Sequence, residues 1–401
     1  AHAVAAGPGR RREAPTRAAH PLMPHRVSRI PAFLAALTPA FVYLGARSVG
    51  LLIFFVMARV NSRSPLDVLT SWDAAWLLSI ANNGYSGVTP DHVDSFGHHT
   101  PTTALAFFPG YPYFVRLLSG MGLNTVAVAF TVSLAAGIFC AYGLVRLTSA
   151  LKLDQRAGLV LVALFASAPL SIVLSMPYTE ALFCALAVWT LVGLRTDRWI
   201  LAAGLCILAG LVRPTGVVLA IVVCAAAASR ILTNTATARV WIALLTAPLG
   251  IVGYLGFVAA RTGRLDGWLY LQHKGWGYSY DLGRETVRDS GAILAHSDDA
   301  MLVITVAVVL GYLVLALLAV RDRLSWPVVA YGIGATLMAV QSSVIMNSKA
   351  RLLLAAFTLL IPIATRMARK NTTTVVTATA LYTLAGSWFS AYSLIVWKYA
   401  I

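Results

Sequence analysis

A carboxylate flanked by two indoles is the first group in this sequence whose residue types could do chemistry. Trp72 and Trp76 bracket Asp73 in Ser71-Trp-Asp-Ala-Ala-Trp76, and Asn82-Asn-Gly-Tyr85 follows. On a helix, positions 72 and 76 share a face, with Asp73 one step round. Ser71 is expected to cap that helix, which leaves Asp73 in the first turn, where the dipole favours an anion. An interfacial helix with an aromatic belt and a capping carboxylate has the same composition. The chemical reading is that Asp73 faces a cavity as a base while the indoles line a sugar or lipid site.

Other groups repeat the theme of a costly polar residue beside apolar sequence. Pro177-Tyr-Thr-Glu180 opens a very apolar helix, and a carboxylate at that depth is either an N-cap or functional. Arg213-Pro-Thr-Gly216 sets a guanidinium at a broken helix end, where a phosphate or Glu180 would be its partner. Lys349-Ala-Arg351 adds two cations at another helix end, either snorkelling or binding. Gln272-His273-Lys274-Gly-Trp276 mixes hydrogen-bonding groups with an aromatic plane, and Leu105-Ala-Phe-Phe-Pro-Gly-Tyr-Pro112 reads as a Pro-broken interfacial segment or a cavity wall. Asp91, Asp94, His98 and His99 are metal-capable, but they contain no tight Asp-x-Asp and read as a solvated loop. No metal and no cofactor is expected. Cys140, Cys184, Cys206 and Cys224 sit in apolar stretches as packing residues, with neither disulfide nor zinc spacing.

The elements that must position these residues are membrane spans. Of 401 residues, 59% are hydrophobic and only 11% charged, against about a quarter charged in soluble domains. The net charge of +16 does not signal a nucleic-acid partner, because Lys and Arg punctuate the ends of apolar stretches as juxtamembrane cations do. About eleven such stretches occur, at 30–58, 123–145, 157–175, 181–195, 198–212, 215–229, 240–260, 301–320, 325–345, 351–365 and 375–397. The expected class is therefore an all-α polytopic membrane protein. Residues 1–29 read as a disordered basic cytoplasmic arm, and 30–401 as the transmembrane domain.

Short basic connections alternate with the others. Arg146/Lys152/Arg156, Arg195/Arg198, Arg230/Arg239, Arg321/Arg323 and Arg366/Arg369/Lys370 fall on one set, which the positive-inside rule puts in the cytoplasm. The long loops 60–122 and 261–299, with Pro177–Glu180, Arg213–Gly216 and Asn347–Arg351, fall on the other and form the expected active-site face. A single Pro-kinked helix over 198–229 would reverse the later clusters, so a break at Arg213-Pro214 is preferred. The first long loop is expected to carry short interfacial helices.

Taken in order, WDAAW with NNGY, AFFPGYP, PYTEALF, RPTGV and SKARLLLAAFTLL resemble the PIG-V family of GT-C mannosyltransferases, from about residue 71 to residue 365. In eukaryotes these enzymes add the second mannose of the GPI anchor, and bacteria carry homologous forms; the basic tail and Ala-rich helices here look bacterial. The resemblance implies a GT-C fold and an inverting transfer of mannose from a polyprenyl-phosphate-linked donor. The acceptor would be a lipid, glycan or protein on the non-cytoplasmic face of the plasma membrane, or of the endoplasmic reticulum if eukaryotic. It places Asp73 with Trp72 at the family's essential outer-loop position, and Arg213, Lys349 and Arg351 near the donor.

The residues suit that chemistry. A phosphate leaves as an anion and needs cations more than a general acid, so one carboxylate to take the acceptor's proton suffices. Asp73 is the expected base, and Trp72, Trp76, Glu180, Arg213, Gln272, His273, Trp276, Lys349 and Arg351 are candidate substrate-binding residues. The rival reading is a secondary transporter or lipid flippase using Glu180 and Arg213.

Overall fold

The computed structural model describes residues 2–5, 7, 32–343 and 346–399. The expected basic arm at 1–29 therefore lies, those five residues apart, outside the described ones. Residues 1–36 and 37–401 form separate units, and the second contains the helical bundle with its connections.

Helix α1 (Ala32–Val60) leads into a long connection carrying α2 (Pro65–Leu69), α3 (Asp73–Asn83) and α4 (Gly110–Ser119). Next come α5 (Thr125–Ala150), α6 (Gln155–Ala166), α7 (Glu180–Arg195), α8 (Trp199–Val212) and α9 (Gly216–Leu232). Then α10 (Ala238–Thr246) and α11 (Leu249–Thr262) precede a second long connection holding α12 (Gly267–Trp276) and α13 (Arg284–His296). The chain finishes with α14 (Ala300–Arg321), α15 (Trp326–Val340), α16 (Lys349–Leu352), α17 (Ile361–Ala368) and α18 (Thr372–Ile395). Each expected span has its helix or broken helix, and both long loops carry short helices, as expected of the first. Helices long and apolar enough to cross a membrane cover Leu34–Val60, Thr125–Ala150, Ala238–Thr262, Ala300–Arg321 and Met346–Ala368. Shorter apolar helices stand among them, as in a multi-pass membrane protein.

The span boundaries have local causes. Asn124, Asp154, Asp299 and Asn371 accept a backbone N–H from the first turns of α5, α6, α14 and α18, satisfying donors that a helix start leaves free. Helix α8 stops because Pro214 pushes Arg213 out of the helical region, to φ −150° and ψ 152°. The chain then doubles back so tightly that a Cβ on Gly216 would lie 2.6 Å from the Cα of Gly210. This contact makes α8 and α9 two helices, as the charge pattern requires.

The basic connections meet at one end of the bundle. Arg366 forks onto Asp322 at 2.6 and 2.7 Å, Arg230 reaches Asp197 at 2.5 Å, and Arg195 donates to Ser325. At the opposite end lie the two long connections and the starts or stops of α7, α8, α9 and α16.

Two crossings are interrupted on the side of that second end. Helix α6 gives way at Ser167 to a buried irregular stretch with Leu170 at φ 60° and a 3-10 turn over Ser171–Ser175. Non-helical backbone at membrane depth needs protein partners, and Arg47 of α1, itself buried, supplies one at the break and ties down two side chains of the turn. It donates to the Ala166 carbonyl and to the hydroxyls of Ser171 and Ser175, each at 2.9 Å. A second 3-10 segment spans Leu353–Leu360, and Phe357 from it packs edge-on against Phe165 of α6. Cys140, Cys184 and Cys206 are buried free thiols in this core, and Cys224 is half-buried.

Candidate active site

Asp73 begins α3, but not as expected. The residue that precedes the helix is Trp72, with φ 57° and ψ −128° and no side-chain cap, while the Ser71 hydroxyl donates back to the Val68 carbonyl at 2.7 Å. Ser71 is therefore no N-cap. The chain must turn sharply between α2 and α3, Ser71 closes the end of α2, and Trp72 takes a positive φ that a bulky residue rarely adopts. Strain of this kind clusters at functional sites and costs of order 1–3 kcal/mol. It leaves Trp72 48% exposed and Trp76 buried, yet both side chains line one cavity.

That cavity, of about 370 Å³, opens among the two long connections and the broken helix ends. Asp73, Trp72, Trp76, Arg213, Gln272, Trp276 and Arg351 all line it, so residues far apart in the sequence converge. Its aromatic wall is continuous: Trp76 stacks on Phe107 with centroids 5.2 Å apart, and Trp276 meets both rings edge-on at 6.1 and 5.6 Å. The α12 helix fastens this wall, since Trp268 Nε1 and Gln272 Nε2 both donate to the Ala106 carbonyl at 3.1 and 3.0 Å.

The floor is ionic. Arg351 Nη1 donates to Asp73 Oδ2 at 2.7 Å, and Arg351 Nε lies 3.6 Å from Glu180 Oε1. The same Glu180 oxygen sits 2.5 Å from Arg213 Nη1, which also donates to Thr179 Oγ1 at 2.8 Å. Glu180 is the first residue of α7 and almost fully buried, placed where the helix dipole favours an anion. It does not line the cavity; it stands behind the two guanidinia and holds them side by side. Asp73 keeps about a third of its side chain exposed, and Oδ1 has no hydrogen-bond partner among the described residues.

Two candidates point elsewhere. Lys349 is buried, and its ammonium donates to the Ala339 and Ser342 carbonyls at 3.1 and 2.7 Å, where it closes the end of α15. Those carbonyls lack helical partners, which explains a lysine without a carboxylate at this depth. His273 is exposed and is not among the cavity-lining residues. The Asp91–His99 segment folds as a turn in which Asp94 Oδ1 accepts the N–H groups of Phe96 and His98, and His99 donates to the His92 carbonyl. Among the described residues, no three His, Cys, Asp or Glu side chains gather as metal ligands.

Three residues at the site had no such role in the sequence, Asp94 having read as part of a solvated loop. Tyr178 lies under the Arg351 guanidinium, 5.5 Å from ring centroid to carbon, Thr179 accepts from Arg213, and Asp94 reaches the cavity wall. The first two stand in the Pro-Tyr-Thr-Glu run already singled out, so their position was signalled though their contacts were not.

The model of the mannosyltransferase (PIG-V) family matches residues 47–256. No curated protein matches the chain. Among solved structures, ArnT from Cupriavidus metallidurans bound to undecaprenyl phosphate is similar at 14% identity and a TM-score of 0.49, over 88% of this chain and 75% of that one. The Archaeoglobus fulgidus oligosaccharyltransferase is similar at 15% identity and a TM-score of 0.42, over 86% of this chain and 53% of that one.

Proposed function

The chain belongs to the mannosyltransferase (PIG-V) family, and from that premise we propose that it is a membrane glycosyltransferase of GT-C type that transfers mannose from a polyprenyl-phosphate-linked donor with Asp73 as general base. The acceptor is a hydroxyl of a lipid, glycan or protein, and the reaction takes place on the non-cytoplasmic face. The observation that carries this reading is the contact of Asp73 with Arg351 at 2.7 Å, on an aromatic-walled cavity that Arg213 also lines.

The step balances with these groups. The acceptor oxygen attacks the anomeric carbon while the bond from that carbon to the phosphate oxygen breaks, and its electron pair leaves with the phosphate. The acceptor proton passes to the free Oδ1 of Asp73. Arg213 and Arg351, whose side chains are mostly buried, face the charge that grows on the departing phosphate. Attack from the side opposite the phosphate inverts the anomeric centre. The indoles of Trp72, Trp76 and Trp276 offer flat apolar faces to a sugar ring or an isoprenoid unit.

Incubating the purified full chain with radiolabelled polyprenyl-phosphate mannose and membrane lipids, then identifying the labelled product, tests this directly. Transfer of label to a lipid, glycan or protein is the expected result. A label that crosses a vesicle membrane still attached to its polyprenyl phosphate would instead mark a flippase.

A further inference from the structure

A second concave site lies outside the cavity, in a cleft of about 340 Å³ lined by residues of α4, α11 and the turn after α3. Arg116 and Arg261 enter it with Tyr85, Tyr113 and Asn83, and no carboxylate lines it. Neither arginine forms an ion pair among the described residues, whereas Arg264 and Arg288 at the same end of the molecule are matched to Asp266, Glu285 and Asp289. Arg116 Nη1 donates to the Asn82 carbonyl at 3.4 Å and Arg261 lies over the Phe257 ring at 5.9 Å, so both cations stand at the cleft with no carboxylate to balance them, and an anion there would meet two guanidinia.

The surroundings say what carries the anion. Helix α4 buries Tyr111 and Val115 and leaves Phe114 and Leu117 exposed, 42% and 71%. Phe257 of α11, one turn before Arg261, is also exposed and lines the cleft. An amphipathic helix with an exposed apolar face lies in a bilayer interface, and arginines beside apolar surface hold their charge at headgroup level. We propose that this cleft binds the phosphate group of a membrane lipid, with the lipid's chains against Phe114, Leu117 and Phe257. The guanidinium fork matches phosphate oxygens in a way an ammonium does not. The Tyr85 hydroxyl donates at 2.7 Å to the carbonyl of Phe107, whose ring lines the cavity, so one tyrosine separates the two sites. The inference stands apart from the glycosyl-transfer reading, because it concerns binding alone.

The test uses the full chain in detergent and native mass spectrometry with short-chain phosphatidic acid, diacylglycerol of the same chains, and inorganic phosphate as competitor. Saturable binding of phosphatidic acid but not of diacylglycerol is expected. Arg116→Gln with Arg261→Gln should weaken it about tenfold or more, the scale of lost charged hydrogen bonds, while Arg264→Gln leaves it unchanged. The Arg116→Lys/Arg261→Lys pair, which keeps the charge, should fall between. Unchanged affinity in a normally melting double variant would overturn the proposal, as would inorganic phosphate displacing the lipid at equal concentration. Should the glutamine pair not fold, full affinity in the lysine pair overturns it and partial loss supports it.

Discussion

Asp73 and Arg351 lie 278 positions apart and meet at 2.7 Å, one from the first long connection and the other from the last interrupted crossing. Arg351 also approaches Glu180, and Glu180 holds Arg213, so four ionisable side chains form one chain of alternating sign with Asp73 at its exposed end. Among the described residues Asp73 Oδ1 accepts no hydrogen bond beside the cavity, which supports the proposed base whose partners would serve a departing phosphate.

Asp73→Asn should therefore abolish transfer while the protein accumulates and still binds donor. The amide keeps the shape and can still face Arg351, but cannot take the proton. A general base contributes about 10²–10⁴-fold, so turnover should fall by that order. Near-normal turnover in this variant would remove Asp73 from the chemistry.

The proposed donor contact of Arg213 separates experimentally from its observed pairing with Glu180. Its contact with a donor phosphate should be worth about 1.5–3 kcal/mol, so Arg213→Lys should raise the donor KM and lower kcat with little change for acceptor. Its contact with Glu180 is buried, and breaking such a pair costs about 3–5 kcal/mol. Arg213→Ala and Glu180→Gln should each lower the melting temperature in detergent, and Arg213→Gln combined with Glu180→Gln should recover part of that loss without recovering transfer. Recovery of both would make the pair purely structural.

Trp72→Gly separates strain from function. Glycine adopts the backbone of Trp72 without penalty, so relief of roughly 1 kcal/mol or more is expected, offset by the lost apolar contacts of a half-exposed indole. Melting should stay within a few degrees of wild type while transfer drops at least tenfold. Normal kinetics in this variant would show that the rim indole does not touch substrate.

Sidedness is open to chemical labelling. The buried state of Cys140, Cys184 and Cys206 gives a low background for single cysteines introduced at positions within 60–103 and 261–299. Both loops should react with an impermeant thiol reagent on intact cells. Reaction of the second loop only after lysis would reverse the topology beyond Arg213.

Much of this architecture was legible because lipid permits few solutions. Apolar stretch lengths and the alternation of basic clusters located the crossings, and Pro214 located the break between α8 and α9, since proline dictates the backbone before it. Convergence of Asp73, Arg213 and Arg351 followed from their placement on one set of connections. What escaped depends on directions that spacing does not encode. Ser71 was a sound N-cap by type, but the turn from α2 assigned that position to Trp72. Lys349 and Arg351 are two residues apart and so point to different sides of a helix: one closes α15 while the other reaches the cavity. Arg47 carried a usable signal, an ionisable residue inside the first apolar span, yet its partners in the broken half of α6 have no trace in periodicity.

The shortness of α8 has a consequence for the bilayer itself. Its 14 residues amount to about 21 Å of helix, whereas the hydrocarbon layer is about 30 Å thick. A helix that ends early leaves Arg213 below the plane where headgroups would otherwise stand. The membrane must thin or the protein must hollow at this point, each at a modest energetic cost. On the proposed reading the reaction centre then occupies a dent, into which a polyprenyl phosphate would bring its headgroup without lifting its isoprenoid tail from the oil. Turnover should accordingly respond to the thickness of the surrounding bilayer, with shorter-chain lipids deepening access and longer-chain lipids closing the rim.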